Sequence, residues 1–384
     1  MKIFLPDYVK FTLNKLSAAG FDAWIVGGSV RDSIMGKSPE DYDIATSARP
    51  EQVIELFEKT IPTGIKHGTI TVLTDKQPVE ITTYRTENGY TDSRHPGSVN
   101  FVSNIKDDLS RRDFTVNAIA YNEEKGIFDP FDGITDINRK ILRTVGHAPS
   151  RFDEDALRIL RLFRFSSQLG FNIEEKALNA AIEFSNKLEN ISPERIREEF
   201  FKALCAKNPF VLNKLLKTHS LSFVGLNNKC TVPENISLIP QNAILRFSYF
   251  CFKNRLNAME ICKYLKTSKA FLNECECICS LMNKPAPKTK QEVKRALSKI
   301  DLKVFEKYSA LYESLNNTNY LSNFISEILN NNEPYRIDML KITGEDLLSL
   351  GFKGRSIGKA LEFLLKEVIK DPQKNTFEQL KSLL

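Results

Sequence analysis

Two aspartates one residue apart, Asp41 and Asp43, carry the clearest chemistry in this chain. Side chains at i and i+2 of an extended strand share a face, so both carboxylates can reach one cation. Ionised neighbours at that spacing repel, and a bound cation relieves the repulsion. All-oxygen ligands suit magnesium, with phosphate oxygens completing its octahedron. Taken alone, Asp-x-Asp is more often a solvated turn. Its context changes the reading, because the strand–turn–helix pattern Val26-Gly27-Gly28-Ser29-Val30-Arg31-Asp32 lies just upstream. Glycines let backbone amides approach a phosphate, a helix N-terminus favours an anion, and Arg31 adds a cation. Coupled to the acid pair, the turn describes a triphosphate cradle facing a metal site.

Further charged groups extend the pattern. Glu80 sits in the alternating run Val79-Glu80-Ile81-Thr82-Thr83-Tyr84-Arg85. It either faces solvent or supplies a third carboxylate that helps hold metal or activates an attacking hydroxyl. In Arg111-Arg112-Asp113, an arginine can neutralise phosphate and the aspartate can accept from a ribose hydroxyl. A surface salt-bridge cluster is the plainer alternative.

The segment Glu154-Asp155-Ala156-Leu157-Arg158-Ile159-Leu160-Arg161-Leu162-Phe163-Arg164 reads as helix. Residues three apart are helix neighbours, so Asp155 and Arg158 form either a simple ion pair or a base-reading pair. Cytosine and adenine both offer an amino donor beside a ring-nitrogen acceptor. An acceptor-only Asp and a donor-only Arg match that edge, whereas guanine and uracil present the reverse polarity. Such a pair would select CTP and ATP without a nucleic-acid template. On an unbroken helix Arg164 points away from Asp155, so Arg161 and Arg164 should turn toward phosphates, RNA or structural acids.

These groups need elements to hold them. Asp7 to Ala19 is patterned as an amphipathic helix, Phe21 to Val26 as a strand, Ser29 to Met35 as a helix and Asp41 to Ala45 as a strand. Thr69 to Leu73 and Pro78 to Tyr84 alternate as a hairpin, and Pro50 starts a helix running to Lys59. Residues 86–100 are rich in Asn, Gly, Asp, Ser and Pro and read as a mobile loop. Phe114 to Tyr121 and Ile127 to Phe131 resume the sheet pattern. Beyond about residue 150 the periodicity is helical throughout. The first part is therefore an α+β module and the remainder all-helical.

The whole chain of 384 residues is long enough for two to four modules, and its net charge of +6 permits a polyanionic partner. Seven cysteines, an odd number, all lie in the second half, and no leader pattern precedes them. A disulfide framework is not expected. Cys275-Glu276-Cys277-Ile278-Cys279 has the wrong spacing for a zinc knuckle and no nearby His, so these read as ordinary helical cysteines. No segment approaches 18 uninterrupted apolar residues, and a cytoplasmic protein with no membrane partner is the expectation.

Taken together, the motifs resemble the class II tRNA nucleotidyltransferases, the CCA-adding enzymes, and their poly(A) polymerase relatives. The likeness covers about residues 20 to 205: the Gly27 to Asp32 turn, Asp41 to Thr46, Arg111 to Asn117, Asp129-Pro130-Phe131-Asp132-Gly133, and Glu154 to Phe165. The segments Ile342 to Leu347 and Gly351 to Gly358 resemble the family's tail more weakly. The resemblance implies a polymerase-β-like head (1–138), then a helical neck (139–205), body (206–310) and tail (311–384). It implies that Asp41 and Asp43 bind Mg2+ and that Gly28, Arg31 and Arg112 contact nucleotide. Asp155 and Arg158 would read the base, Arg161 and Arg164 would complete the nucleotide site, and Asp113 would lie near the ribose. The partners implied are CTP, ATP and the acceptor–TΨC arm of tRNA, and the activity is addition of C, C and A to the tRNA 3′ end. An A-adding enzyme or a poly(A) polymerase is the near alternative. CC-only members lack an equivalent of the loop from Thr86 to Asn100, so its presence favours terminal A addition. A non-catalytic RNA-binding relative would be expected to lose one of the acids.

Overall fold

A computed structural model describes residues 2–90 and 96–384. The chain divides into two compact units, Met1–Cys230 and Thr231–Leu384.

The first unit opens with α1 (Asp7–Ala18), β1 (Ala23–Val26), α2 (Gly28–Ile34) and β2 (Asp43–Thr46). Then follow α3 (Pro50–Leu56), β3 (Thr60–Gly64), β4 (Thr69–Leu73) and β5 (Pro78–Thr83). A separate ribbon pairs β6 (Arg85–Tyr90) with β7 (Pro96–Phe101). After it come α4 (Ile105–Ser110), β8 (Ala120–Asn122) and β9 (Gly126–Phe128). The main sheet runs in the order β3-β4-β5-β2-β1-β8-β9, with β2 and β5 parallel. All four residues of β1, Ala23-Trp24-Ile25-Val26, are buried, which explains why this strand reads as an unbroken apolar run. Trp24 and Val26 join Ala45, Tyr84, Leu109 and Ala120 in the core beneath it. Register aligns Val26 with Asp43 and Asp43 with Glu80, so three adjacent strands meet in one row.

The chain then turns helical: α5 (Gly133–Arg139), the short strand β10 (Ile141–Leu142), α6 (Ala148–Glu154) and α7 (Leu157–Leu169). Next are β11 (Asn172–Ile173), α8 (Glu175–Glu183), α9 (Pro193–Leu204) and α10 (Leu212–Leu216). Helix α7 packs on α9. The second unit is built from helices α11 (Ala243–Lys253), α12 (Ala258–Tyr264), α13 (Lys269–Met282), α14 (Lys290–Leu297) and α15 (Leu302–Asn316), followed by α16 (Tyr320–Asn330), α17 (Gly344–Ser349), α18 (Arg355–Lys370) and α19 (Phe377–Ser382). Side-chain oxygens of Asn242, Ser268, Thr289 and Thr343 accept from first-turn amides, ending four of these helices in the manner short polar residues favour. The fold is an α+β head followed by helices, as the periodicity implied.

Several elements differ from the pattern-based expectation. The helix from Pro50 stops at Leu56, and Thr60–Gly64 forms an edge strand. Within the expected loop of 86–100, Thr86 pairs with Asn100, and Asn88 with Ser98, in a hairpin. Turn-forming residues concealed this ladder, because the partner strand supplies the hydrogen bonds. Residues 91–95, and with them the expected mobility of this segment, lie outside the described residues. Phe114 to Tyr121 is not one strand; a 3-10 turn at Thr115–Asn117 precedes β8. Helical periodicity from Glu154 onward conceals a break at Asp155, which has extended backbone angles between α6 and α7. Its Oδ1 accepts the Leu157 amide at 3.0 Å, the local competition by which Asp interrupts a helix.

The seven cysteines are free thiols. Cys275 accepts from the Ser248 hydroxyl at 3.2 Å inside the second unit. Against the lowering effect of the Cys262 thiol, hydrogen bonding by Cys279 and burial push the Cys275 thiol up to about 12. Among the described residues no helix is long and apolar enough to cross a membrane.

Candidate active site

The acid pair occupies the end of the β1–β2–β5 row. Asp43 is the first residue of β2, while Asp41 lies in the run-in before the strand. Tyr42 between them is buried, its ring edge-on to Tyr8 at 6.4 Å. That alternation turns the two carboxylates outward and both are exposed. Glu80, also exposed, stands beside Asp43 on the parallel neighbour β5. Although the residue is exposed, Asp43 has enough protein around it that desolvation dominates its ionisation. Burial pushes its carboxyl up to about 6; Arg112 pulls it down, and the Asp41 and Glu80 charges push it further up. An oxygen-only group of mutually repelling carboxylates fits a hard divalent cation. Among the described residues no three or more His, Cys, Asp or Glu side chains form a group that could hold a metal ion by themselves.

Gly27 explains how a cation reaches this row. It has φ 76° and ψ −132°, a conformation suited to glycine, and caps α2. A Cβ there would lie 3.0 Å from Arg112 Nη1 and 4.0 Å from Asp43 Oδ2. The missing side chain thus lets the guanidinium and the carboxylate converge over the backbone. The sequence singled out Gly28, which is the first residue of α2; the tight approach belongs to Gly27.

Behind this end lies a second charged group. Arg31 is buried, donates to Asn117 Oδ1 at 2.6 Å and to Asp32 at 2.9 Å. Asp113 is buried and accepts from Asn117 at 3.1 Å and from Arg161 at 2.7 Å. Burial alone would raise its carboxyl, yet Arg161, Asn117 and Arg158 outweigh that and hold it at about 2. Arg164 Nε forms an ion pair with Glu199 Oε2 at 2.5 Å. The guanidinium groups of Arg164, Arg161 and Arg31 surround the Phe165 ring at 3.8, 5.2 and 5.4 Å. Of the destinations expected for Arg161 and Arg164, acid partners are the ones observed.

Asp155 and Arg158 are held by different neighbours. Asp155 Oδ2 accepts from Arg195 at 3.0 Å, while the buried Arg158 donates to Glu154 at 2.5 Å and to the Arg111 carbonyl at 3.0 Å. Asp155 stands outside α7, so the geometry is not that of two residues on one continuous helix. Glu199 and Arg195 escaped the sequence reading because each acts some 35 to 40 residues from its partner, on α9. Their own spacing, Arg195 to Glu199, places them on one helix face.

Three family models match in chain order. The Poly A polymerase head domain covers residues 23–143, the probable RNA and SrmB-binding site of polymerase A covers 170–224, and tRNA nucleotidyltransferase domain 2 covers 241–384. The chain belongs to the class II CCA-adding enzyme/poly(A) polymerase family. A CCA-adding enzyme of Lactobacillus delbrueckii subsp. bulgaricus is 44% identical over 262 residues, covering 67% of this chain and 66% of that protein. One from Pediococcus pentosaceus is 50% identical over 197 residues, 51% of this chain and 50% of that protein. The chain thus matches between half and just under two thirds of the length of these curated relatives. The crystal structure of the Bacillus stearothermophilus CCA-adding enzyme in complex with CTP superposes with a TM-score of 0.87 at 29% identity, over 99% of this chain and 97% of that one. Nucleotidyltransferases of this family generally use divalent metal ions.

Proposed function

We propose that this chain is a CCA tRNA nucleotidyltransferase, adding C, C and A to the tRNA 3′ end from CTP and ATP and releasing pyrophosphate. The observation that carries the reading is the convergence of Asp43 and Arg112 over Gly27, with Asp41 and Glu80 raising the negative field there. Asp41 and Asp43 would hold Mg2+, which when bound supplies charge neutralisation at the α-phosphate and lowers the pKa of the attacking hydroxyl. Glu80, opposite Asp43 on β5, would either help hold the metal or activate that hydroxyl. Arg112 neutralises triphosphate charge, and the amide of Gly28 and the guanidinium of Arg31 line the same turn. Asp113 orients Arg161, and Arg161 and Arg164 close the nucleotide site. Asp155 offers only acceptors and Arg158 only donors, which matches the shared edge of cytosine and adenine.

The helical segments 139–205, 206–310 and 311–384 act as neck, body and tail, holding the acceptor stem and TΨC arm through shape and phosphate contacts. The setting for such work is the cytoplasm. To test the reading, the protein is incubated with Mg2+, CTP, ATP and tRNAs ending at the discriminator base, at C, or at CC, and the products are sequenced. Completed CCA ends on all three substrates are expected. Failure to add C to the shortest substrate sinks the proposal, and long A tails favour the polyadenylating alternative.

A further inference from the structure

The acid row and the base-reading residues have a common neighbour that none of the motifs above includes. Asp108, on the short helix α4, is completely buried. Its Oδ1 accepts from the Arg85 backbone amide at 3.3 Å and from Arg111 Nε and Nη2 at 3.0 and 2.7 Å. Its Oδ2 accepts from Arg112 Nη2 at 3.2 Å. Arg111 Nε also donates to the Arg85 carbonyl at 3.1 Å, and the Arg111 carbonyl accepts from Arg158 Nη2. One carboxylate therefore ties together the root of the β6–β7 ribbon, the Arg112 guanidinium, and Arg111, whose carbonyl accepts from Arg158.

We propose that Asp108 is a positioning residue for the nucleotide site. It aims Arg112 at the triphosphate and, through the Arg111 peptide, sets Arg158 against the base. The inference rests on the nucleotidyltransferase reading above. The reason is geometric and electrostatic. A fully buried carboxylate requires compensation, and here two guanidinium groups supply it in fixed directions. Arg112 has a buried Nε with no hydrogen-bond partner, so its hold on Asp108 is the directed bond that fixes its outer nitrogens. Arg111 sits three residues and Arg112 four residues along from Asp108, the spacing at which helix neighbours meet.

The test uses the full chain and measures CTP affinity by calorimetry without metal, then steady-state addition of C with CTP against UTP. For Asp108→Asn, the CTP dissociation constant and KM should rise about tenfold, with kcat at saturating nucleotide changed less than about threefold. Preference for CTP over UTP should fall by a similar factor. A purely structural role would lower the amount of folded protein without changing selectivity. The exposed neighbour Asp107→Asn should leave all three quantities as they are. Should Asp108→Asn lose its melting transition, Arg111→Lys serves instead. It retains the charge on a partly exposed side chain while breaking the two-pronged grip, and about a threefold loss of affinity and selectivity is expected. Folded variants with wild-type CTP affinity and selectivity overturn the proposal. If the wild-type protein itself neither binds CTP nor adds C, it is the proposed function that fails.

Discussion

Asp43 and Asp113 are the same residue type in the same unit, and desolvation is the largest influence on both, yet they ionise at opposite extremes. Asp43 is pushed up to about 6 and Asp113 is held at about 2. The difference lies in what surrounds them. Asp43 has one cation, Arg112, set against two further carboxylates, Asp41 and Glu80. Asp113 has Arg161 at 2.7 Å, the Asn117 amide at 3.1 Å and the Arg158 charge. One region is left short of positive charge and can take a cation from solution. The other contains its cations, and its arginines are pinned around Phe165.

The comparison breaks most directly at Asp43. Asp43→Ala should reduce C addition by about a thousandfold with the melting temperature unchanged or higher, because it removes repulsion rather than a bond. A parallel drop in melting temperature and activity would show that Asp43 holds the fold and not a cation. Asp113→Ala should behave in the opposite way. Removing this buried carboxylate leaves Arg161 with Glu199 at 3.9 Å as its remaining close acid partner and strips the Asn117 amide of its acceptor, and should cost about 1–3 kcal/mol in denaturant unfolding. A stable Asp113→Ala protein would contradict the closed nature of this cluster.

Substitution at Asp155 should be milder. Asp155→Asn keeps the shape but turns part of an acceptor into a donor, and preference for CTP over UTP should fall roughly tenfold to a hundredfold. Unchanged selectivity, measured with each nucleotide separately, rejects base reading at this residue.

The pH dependence divides the two regions again. Activity needs ionised Asp43, so at limiting Mg2+ it should fall as pH drops through about 6. Saturating Mg2+ favours the ionised form and should move that limb downward. For stability the signs differ. Asp43 binds its proton more tightly when folded, so its contribution grows as pH falls below about 6. Asp113 binds its proton less tightly when folded; its stabilisation is present above the ordinary carboxylate range and is lost as pH falls toward about 2. Thermal melts of Asp113→Asn against wild type should converge at the acid end, and a constant gap would refute the assignment. The smallest effect is expected far from both regions. Cys277→Ser, on a half-buried position of α13, should keep activity within about twofold, with or without a zinc chelator, as expected of a cysteine that binds no metal.

Much of the head could be read directly. The β1 run, the Gly27-Gly28 turn and the β4–β5 hairpin depend on local pattern and backbone freedom, and they lie where alternation and glycine placed them. The β6–β7 pairing and the break at Asp155 could not be read in that way. Turn-forming residues were held in strands by a partner chain segment, and one aspartate side chain displaced a helical bond that periodicity assumed.

The sequence by itself determined which groups could accept and which could donate: carboxylates at Asp41, Asp43 and Asp155, guanidiniums at Arg31, Arg112, Arg158, Arg161 and Arg164. Only the tertiary structure decided which group answers which. Arg161 reaches Asp113 across 48 residues, Arg31 reaches Asn117 across 86, and Arg195 reaches Asp155 across 40. Local periodicity carries no information at such separations. Coulomb energy depends on distance in space and on the surrounding dielectric, and both are set by how the sheet, α7 and α9 pack.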